Sequence, residues 1–332
     1  MKRWLPYGCI ALLAVVPFAP VPLYYLHLAI LILIMGLICT GWSLMGKFGL
    51  VSLGHGGFMG IAVYPMALLW NHYGLTPWLG APIGVGLAVL LGVLIGYPAF
   101  RFRVVGHYFA LITLALGEVV RLSIIAAREL TGGSLGMTPL RVQPITDVSW
   151  YAVQFTDKRY FYVIALVAWL GGLWAWRLVN RSMARSALEA ISEDEVAAAS
   201  IGIHVTSQKL RITLLSAAMT GLGAIMLGQY NQYLNPNSLS GISISLEIVF
   251  ASIVGGMYTM LGPTIGALIT IVFRESLRAY FGATLTGMAE TIYGLLLILF
   301  IIFMPRGLWG FVVARFAHPT GDTSRLEVAA TR

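Results

Sequence analysis

The sequence predicts an all-α, polytopic transmembrane protein of about eight to ten spans, and three observations carry that prediction. The 332 residues are 58% hydrophobic and only 10% charged, with a mean hydropathy of +0.84. A soluble domain of ordinary composition carries roughly 25% charged residues, so this chain is built for lipid. Apolar runs of spanning length recur from end to end, and about 20 apolar residues suffice for a helix to cross a bilayer. Basic residues flank these runs unevenly. With the N-terminus inside and ten spans alternating, 14 of the 21 Lys and Arg fall on the inner side, the bias that the positive-inside rule demands. The net charge of +8 is therefore a topology signal, and no nucleic-acid partner is expected.

The first run, Leu5–Ala19, follows Met1-Lys-Arg-Trp4 as in a signal peptide, but no small-x-small cleavage site follows. It reads as a retained first span. The next are Leu23–Met45, Val51–Trp70, Trp78–Tyr97, Tyr108–Ala127 and Phe161–Leu178. After a polar interruption come Ile212–Tyr230, Ile244–Met257, Ile265–Tyr280 and Ile292–Met304. The third, eighth and ninth runs are Gly-rich, short or broken by charge, which leaves the span count open between eight and ten. The longest exterior segment extends from Arg128 to Tyr160. Residues 1–316 form one membrane domain with a cytoplasmic loop at 181–211, and 317–332 form a polar cytoplasmic tail, so both termini are expected inside. Cys9 and Cys39 lie in apolar runs, and neither a disulfide nor a metal site is expected.

The loop at 181–211 cannot lie in a bilayer. Ser192 followed by Glu195 has the spacing of a capping box, which would open a short helix with Glu193, Asp194 and Glu195 in its first turn, where negative charge suits the helix dipole. Ala197, Ala198 and Ala199 form the body and Gly202 the stop. Such a helix has a nearly bare surface and can press closely into a cleft on another protein.

Polar residues inside apolar runs are costly, at about 2.5–3.5 kcal/mol per charge at mid-membrane on insertion scales, so they face protein or water. Glu118 with Arg121, and Glu275 with Arg278, have the i,i+3 spacing of local pairs. Glu247 and Glu290 have no basic neighbour in sequence and are expected to reach other helices. The stretch Gly49-Leu-Val-Ser52-Leu-Gly54-His55-Gly56-Gly57-Phe58-Met-Gly60 is too glycine-rich for a lipid-facing helix. Loosened backbone at this depth is tolerated only against protein or a water-filled space. His55 itself reads as a structural histidine bonded to nearby backbone, and the segment as lying near a translocation path.

Two spellings suggest enzymes and fail on context. Gly41-x-x-x-x-Gly46-Lys47 approaches a phosphate-binding loop, but Phe48 stands where Ser or Thr must reach magnesium, and no strand precedes it. Gly132-Gly-Ser134-Leu-Gly136 fits a nucleophile elbow, yet it follows a helix in an otherwise helical chain.

Several motifs in order resemble one family. Glu195-Val-Ala-Ala198 followed by Gly202 is similar to the cytoplasmic coupling loop of ABC importer permeases. Ser52-Leu-Gly-His55, Thr113-Leu-Ala-Leu-Gly-Glu118-Val-Val-Arg121, Ser245-Leu-Glu247 with Gly255-Gly256, and Met304-Pro-Arg-Gly307-Leu-x-Gly310 resemble branched-chain amino acid permeases of the LivM type. Relatives often carry alanines at the positions of Gly56 and Gly57. The resemblance implies ABC importer permease architecture in a bacterial inner membrane, in contact with membrane lipid. It further implies two cytoplasmic ATP-binding subunits, a second homologous permease, a periplasmic substrate-binding protein and no cofactor. The substrate would be a branched-chain amino acid, or urea, a short amide or another small organic acid. Glu193, Glu195, Ala197, Ala198 and Gly202 would couple to the ATPase, and Ser52, His55, Gly56, Glu118 and Glu247 would line the translocation path. Two rivals remain open. An ion-coupled secondary transporter would have little use for the capped inner helix, and a membrane enzyme needs convergent catalytic groups that the spacing does not offer.

Overall fold

A computed structural model describes residues 22–104, 106–142, 148–281 and 291, 292, 294 and 295. The expected first span, Glu290, most of the last span and the polar tail lie outside the described residues. The eight intervening runs are all helical, with bounds shifted by a few residues. Among the described residues, six segments are long and apolar enough to cross a membrane.

Helix α1 (Leu23–Gly46) is apolar all round and buried without interruption from Leu33 to Gly46. A helix of that kind belongs in the centre of a bundle. After a non-helical stretch the chain re-enters as α2 (His55–Tyr73), then turns into α3 (Pro77–Arg101). Thr76 caps α3 by accepting from the Trp78 N–H, and Pro77 stands at the first helical position. The inward stripe of α3 is small throughout: Gly80, Gly84, Ala88, Gly92 and Gly96. A Cβ at Gly84 would collide with the Ala62 carbonyl, so glycine is what lets α3 lie directly on α2. On the other face Leu79, Leu90 and Leu94 are exposed, which in a bilayer means lipid.

Helix α4 (His107–Ala126) leads to a single turn, α5 (Arg128–Thr131). The glycines at 132, 133 and 136 all have positive φ and surround a 3-10 turn. The nucleophile-elbow spelling is thus a glycine turn after a helix. A two-residue antiparallel pair, β1 (Val148–Ser149) with β2 (Gln154–Phe155), follows. It is a small addition to the expected all-helical fold and ties down the loop between α4 and α6. Trp78 Nε1 donates to the Trp150 carbonyl at 2.7 Å and Trp70 Nε1 to the Leu140 carbonyl at 2.8 Å.

Helix α6 (Lys158–Arg181) is capped by Asp157 and continues into α7 (Met183–Glu193) and α8 (Glu195–Ser200). Then α9 (Val205–Asn231) traverses the bundle, packing on α1, α2 and α3. A short turn, α10 (Pro236–Leu239), returns the chain inward to α11 (Ile242–Gly255) and α12 (Gly262–Phe281). The last two pack through Gly255, Gly262 and Gly266, whose missing side chains admit backbone carbonyls.

Candidate functional site

Two arrangements concentrate polar chemistry: the α7–α8 hairpin at one end of the bundle, and a junction in its interior where α2 and α11 both begin.

Helix α8 is defined by its two ends. Its N-cap is Asp194, whose carboxylate accepts from the N–H groups of Val196 at 2.7 Å and Ala197 at 3.0 Å. The capping box expected from Ser192 does not form. Ser192 and Glu193 are the last residues of α7, and the Ser192 hydroxyl donates back to the Glu189 carbonyl at 2.7 Å. Asp194 breaks the chain between the helices in extended conformation, and an aspartate one residue before the helix reaches those N–H groups directly. The two hydrogen bonds hold its carboxyl below the usual carboxylate range. At the other end Gly202 has φ +91°. Its N–H donates to Ala199 and that of Ile203 to Ala198, the paired bonds of a Schellman stop.

The orientation of α8 differs from the sequence expectation. Ala198 is 2% exposed and packs into its own chain. A six-residue helix shows one face outward, and Ala198 lies on the other. Val196 (67% exposed) and, just past the end of the helix, Ile201 (75% exposed) face outward, and Ala197 and Gly202 are exposed as well. Glu195 is not a free aqueous carboxylate either. It forms an ion pair with Lys209, on the first turns of α9, and that ammonium sits 5.8 Å from the Phe100 ring of α3. Lys209 is buried. Helix α8 is thereby tied to α9 by the ion pair and, through the same ammonium, set against α3.

A cavity lies on each side of the hairpin. One, of about 840 Å³, separates the end of α3 at Arg101 from the α8–α9 turn. The other, of about 820 Å³, lies between α7 and the end of α1. There Lys47 donates to Asn180 Oδ1 at 2.6 Å and stands 4.5 Å from the Trp176 ring. Burial, then the nearby Arg185, lowers the Lys47 ammonium to about 8. Gly46-Lys47 ends a helix and makes no phosphate-binding loop.

At the interior junction, residues 47–54 run without helix before α2 starts at His55. The Gly56 N–H donates to Ser245 Oγ of α11 at 2.9 Å. A Cβ on Gly56 would stand 2.7 Å from the Gly241 carbonyl oxygen and one on Gly57 3.0 Å from the Gly117 Cα. The glycines therefore serve close contact with α4 and the start of α11. His55 is fully buried, and its Nε2 meets Ser216 Oγ of α9 at 3.0 Å. Its partner is a side chain on another helix, where backbone was expected. Ser52 is buried beside it; its hydroxyl accepts from the Gly54 N–H and its carbonyl from Trp42 Nε1 at 2.8 Å.

Glu118 and Arg121 form the local pair expected of them, at 2.8 Å, and Arg121 adds a bond to Asn237 Oδ1 at 2.9 Å. Glu247 reaches across to α12, where Arg274 Nη1 donates to both its oxygens at 2.6 and 2.7 Å. The pair expected between Glu275 and Arg278 is absent from the ion pairs of the described residues. Ser52, His55 and Gly56 are thus brought together, while Glu118 and Glu247 stand on separate helices around them. Sequence reading missed Lys209, Val196 and Ile201. Lys209 stands three residues before the apolar run Ile212–Tyr230, so the pattern did not mark it as buried, and single exposed apolar residues gave no signal for the others. Among the described residues no group of three His, Cys, Asp or Glu side chains could hold a metal ion.

The family model described as branched-chain amino acid transport system / permease component matches residues 23–304. The high-affinity branched-chain amino acid transport system permease protein LivM of Salmonella typhimurium is 29% identical over 80% of this chain. That alignment spans 64% of the relative's own length, under two thirds of it. The LivH permease protein of the same system and organism is 25% identical over 82% of this chain and 90% of its own. The fructose import permease protein FrcC of Rhizobium meliloti is 24% identical over 74% and 68%.

Proposed function

The chain belongs to the branched-chain amino acid transport permease family, and from that premise we propose that it is one permease half of an ABC importer for branched-chain amino acids. The observation that carries the proposal is the capped α8 helix, presented at the end of the bundle and tied through Glu195 and Lys209 to α9. A secondary transporter has no need of such a handle. A permease driven from outside does, because ATP-driven closure of a partner must be passed to the membrane helices through a rigid contact.

In this reading two cytoplasmic ATP-binding subunits perform the hydrolysis, and one seats against Val196, Ala197, Ile201 and Gly202, with Glu193 at the rim. Likeness to both LivM and LivH, two proteins of one system, supports pairing with a second, similar permease. A periplasmic binding protein would deliver substrate to the end opposite α8. The hairpin and both termini would lie in the cytoplasm, in a bacterial inner membrane. Movement of α8 would pull α9 and, through His55–Ser216, the α2–α11 junction. Ser52, His55, Gly56, Glu118 and Glu247 surround that moving region.

Likeness to a fructose permease makes a sugar the competing substrate. Labelled uptake in cells with and without the chain separates the two: leucine uptake should disappear with the chain and fructose uptake should not. Leucine uptake that survives ATP depletion while an ion gradient is kept would sink the ABC proposal.

A further inference from the structure

The cavity of about 840 Å³ between the end of α3 and the α8–α9 turn holds more positive charge than its own chain uses. Its wall includes Arg101, Arg103, His204 and Glu195. Glu195 is already paired with Lys209. Arg101 and Arg103 are exposed, and among the described residues neither side chain makes an ion pair. Thr206 and Ser207 bring hydroxyls to the same wall. Two guanidiniums in surplus at one cavity call for an anion, and guanidinium edges grip phosphate oxygens by paired hydrogen bonds.

The position of the cavity selects what carries that anion. Ile83, Leu90, Leu94 and Tyr97 are exposed, and their spacing puts them on one face of α3. Tyr97 also belongs to the cavity wall, so the lipid-facing stripe runs directly into the cavity. From Leu90 to Tyr97 the stripe rises about 10 Å, within the ~15 Å depth of one leaflet's hydrocarbon. A phosphate seated at Arg101 and Arg103 can therefore carry acyl chains along the stripe, whereas a soluble phosphate leaves it unused. Net charge narrows the headgroup. A zwitterionic one brings an ammonium group, and the one carboxylate of the wall is held by Lys209. We propose that this cavity is a headgroup site for an anionic phospholipid, with its phosphate on Arg101 and Arg103 and its chains on Leu90 and Leu94. Basic pockets between membrane helices hold anionic headgroups by the same attraction. The lipid then stands between α3 and α8 and braces the turn at Gly202, which lines the cavity. The inference goes beyond the transport reading and holds whatever the substrate is.

The test uses the full chain in nanodiscs of phosphatidylcholine and phosphatidylglycerol in equal parts, with native mass spectrometry counting the lipids that stay bound. The parent should retain phosphatidylglycerol in preference to phosphatidylcholine. Arg101→Gln with Arg103→Gln should weaken that retention at least about tenfold, the scale of two basic groups withdrawn from an anionic lipid. Arg181→Gln with Arg211→Gln removes as much charge from exposed arginines outside the cavity and should leave retention unchanged. No preference in the parent, or equal loss in the two double variants, would reduce the site to general surface charge and overturn the inference. Soluble sn-glycerol 3-phosphate should not displace the lipid; displacement would make the ligand a free phosphate and overturn the lipid assignment. Hydrogen exchange in the parent gives a second reading that needs no variant. The Gly202 and Ile203 amides should exchange more slowly in discs with phosphatidylglycerol than in phosphatidylcholine alone, and equal rates would contradict the brace. If the Arg101→Gln, Arg103→Gln protein keeps its lipid but no longer associates with the ATP-binding subunit, the guanidiniums serve that contact and the lipid site fails. None of these readouts is uptake, so their failure leaves the transport reading standing.

Discussion

Glu195 of α8 and Lys209 of α9 are joined by an ion pair that is 23% exposed on the acid side and 6% on the basic side. The two residues are 14 apart in sequence and bracket the Gly202 turn. Removing the acid leaves a nearly buried ammonium without a counter-charge. Glu195→Ala should therefore destabilise the chain by about 3 kcal/mol, the low end for breaking a buried pair. Adding Lys209→Met to that variant should restore most of the loss, because a well-packed apolar pair replaces an orphaned charge. Thermal unfolding in detergent reads both changes. ATP hydrolysis stimulated by loaded binding protein should stay lost in the double variant, which separates stability from coupling. A single variant as stable as the parent would mean that the pair holds nothing.

Asp194 gives a pH-dependent prediction confined to α8. Its native pKa lies below the ordinary value of 3.8 because Ala197 and Val196 donate to it. A carboxylate depressed in this way supports the fold in full above its unfolded pKa and loses that support as pH falls through the native one. Protection of the Val196 and Ala197 amides from hydrogen exchange should decline below pH ~4 in the parent. Asp194→Asn should keep the cap without that decline, Asp194→Ala should lose the cap at every pH, and Ser192→Ala should leave protection unchanged.

Much of this was readable in sequence because it depends on local chemistry. Eight of the twelve described helices follow apolar runs, and the Gly202 stop follows from a glycine after an alanine-rich helix. Glu118–Arg121 forms as its i,i+3 spacing required. The failures share a cause. Asp194 and Ser192 are both good caps, and which one wins depends on where α7 ends, a tertiary matter. Ala198 turned inward because Glu195 is drawn to Lys209, and a sequence does not show which side of a short helix finds a buried partner. Glu275 and Arg278 have the same spacing as the pair that forms but line a cavity instead.

Lys47 titrates in the opposite sense to an ordinary surface lysine. Its native pKa of about 8 lies under the ordinary 10.5, chiefly through burial. Such a group weighs against the fold while charged, and the penalty lifts as the native form loses its proton first. Thermal stability of the parent should therefore rise between pH 8 and 10 relative to Lys47→Met, which has no proton to lose. Parallel stability curves for the two proteins across that range would contradict this.

The last prediction separates the inner and outer faces of α8. Ala198 is buried against its own chain, so Ala198→Leu overpacks the permease before any partner arrives. It should cost about 1–3 kcal/mol in the isolated chain. Gly202 has open space around its Cα but φ of +91°, so Gly202→Val acts by backbone strain alone, at roughly 1–2 kcal/mol. Val196→Asp and Ile201→Asp should do neither. Both side chains point outward and touch little of their own chain, so the variants should insert and unfold like the parent. What they change is the surface offered to a partner, where a carboxylate must be desolvated on docking. Association with the ATP-binding subunit should weaken and uptake should fall, with the permease itself intact. If Val196→Asp and Ile201→Asp transport at parental rates while Ala198→Leu is merely unstable, α8 is an internal brace and its outward face docks nothing.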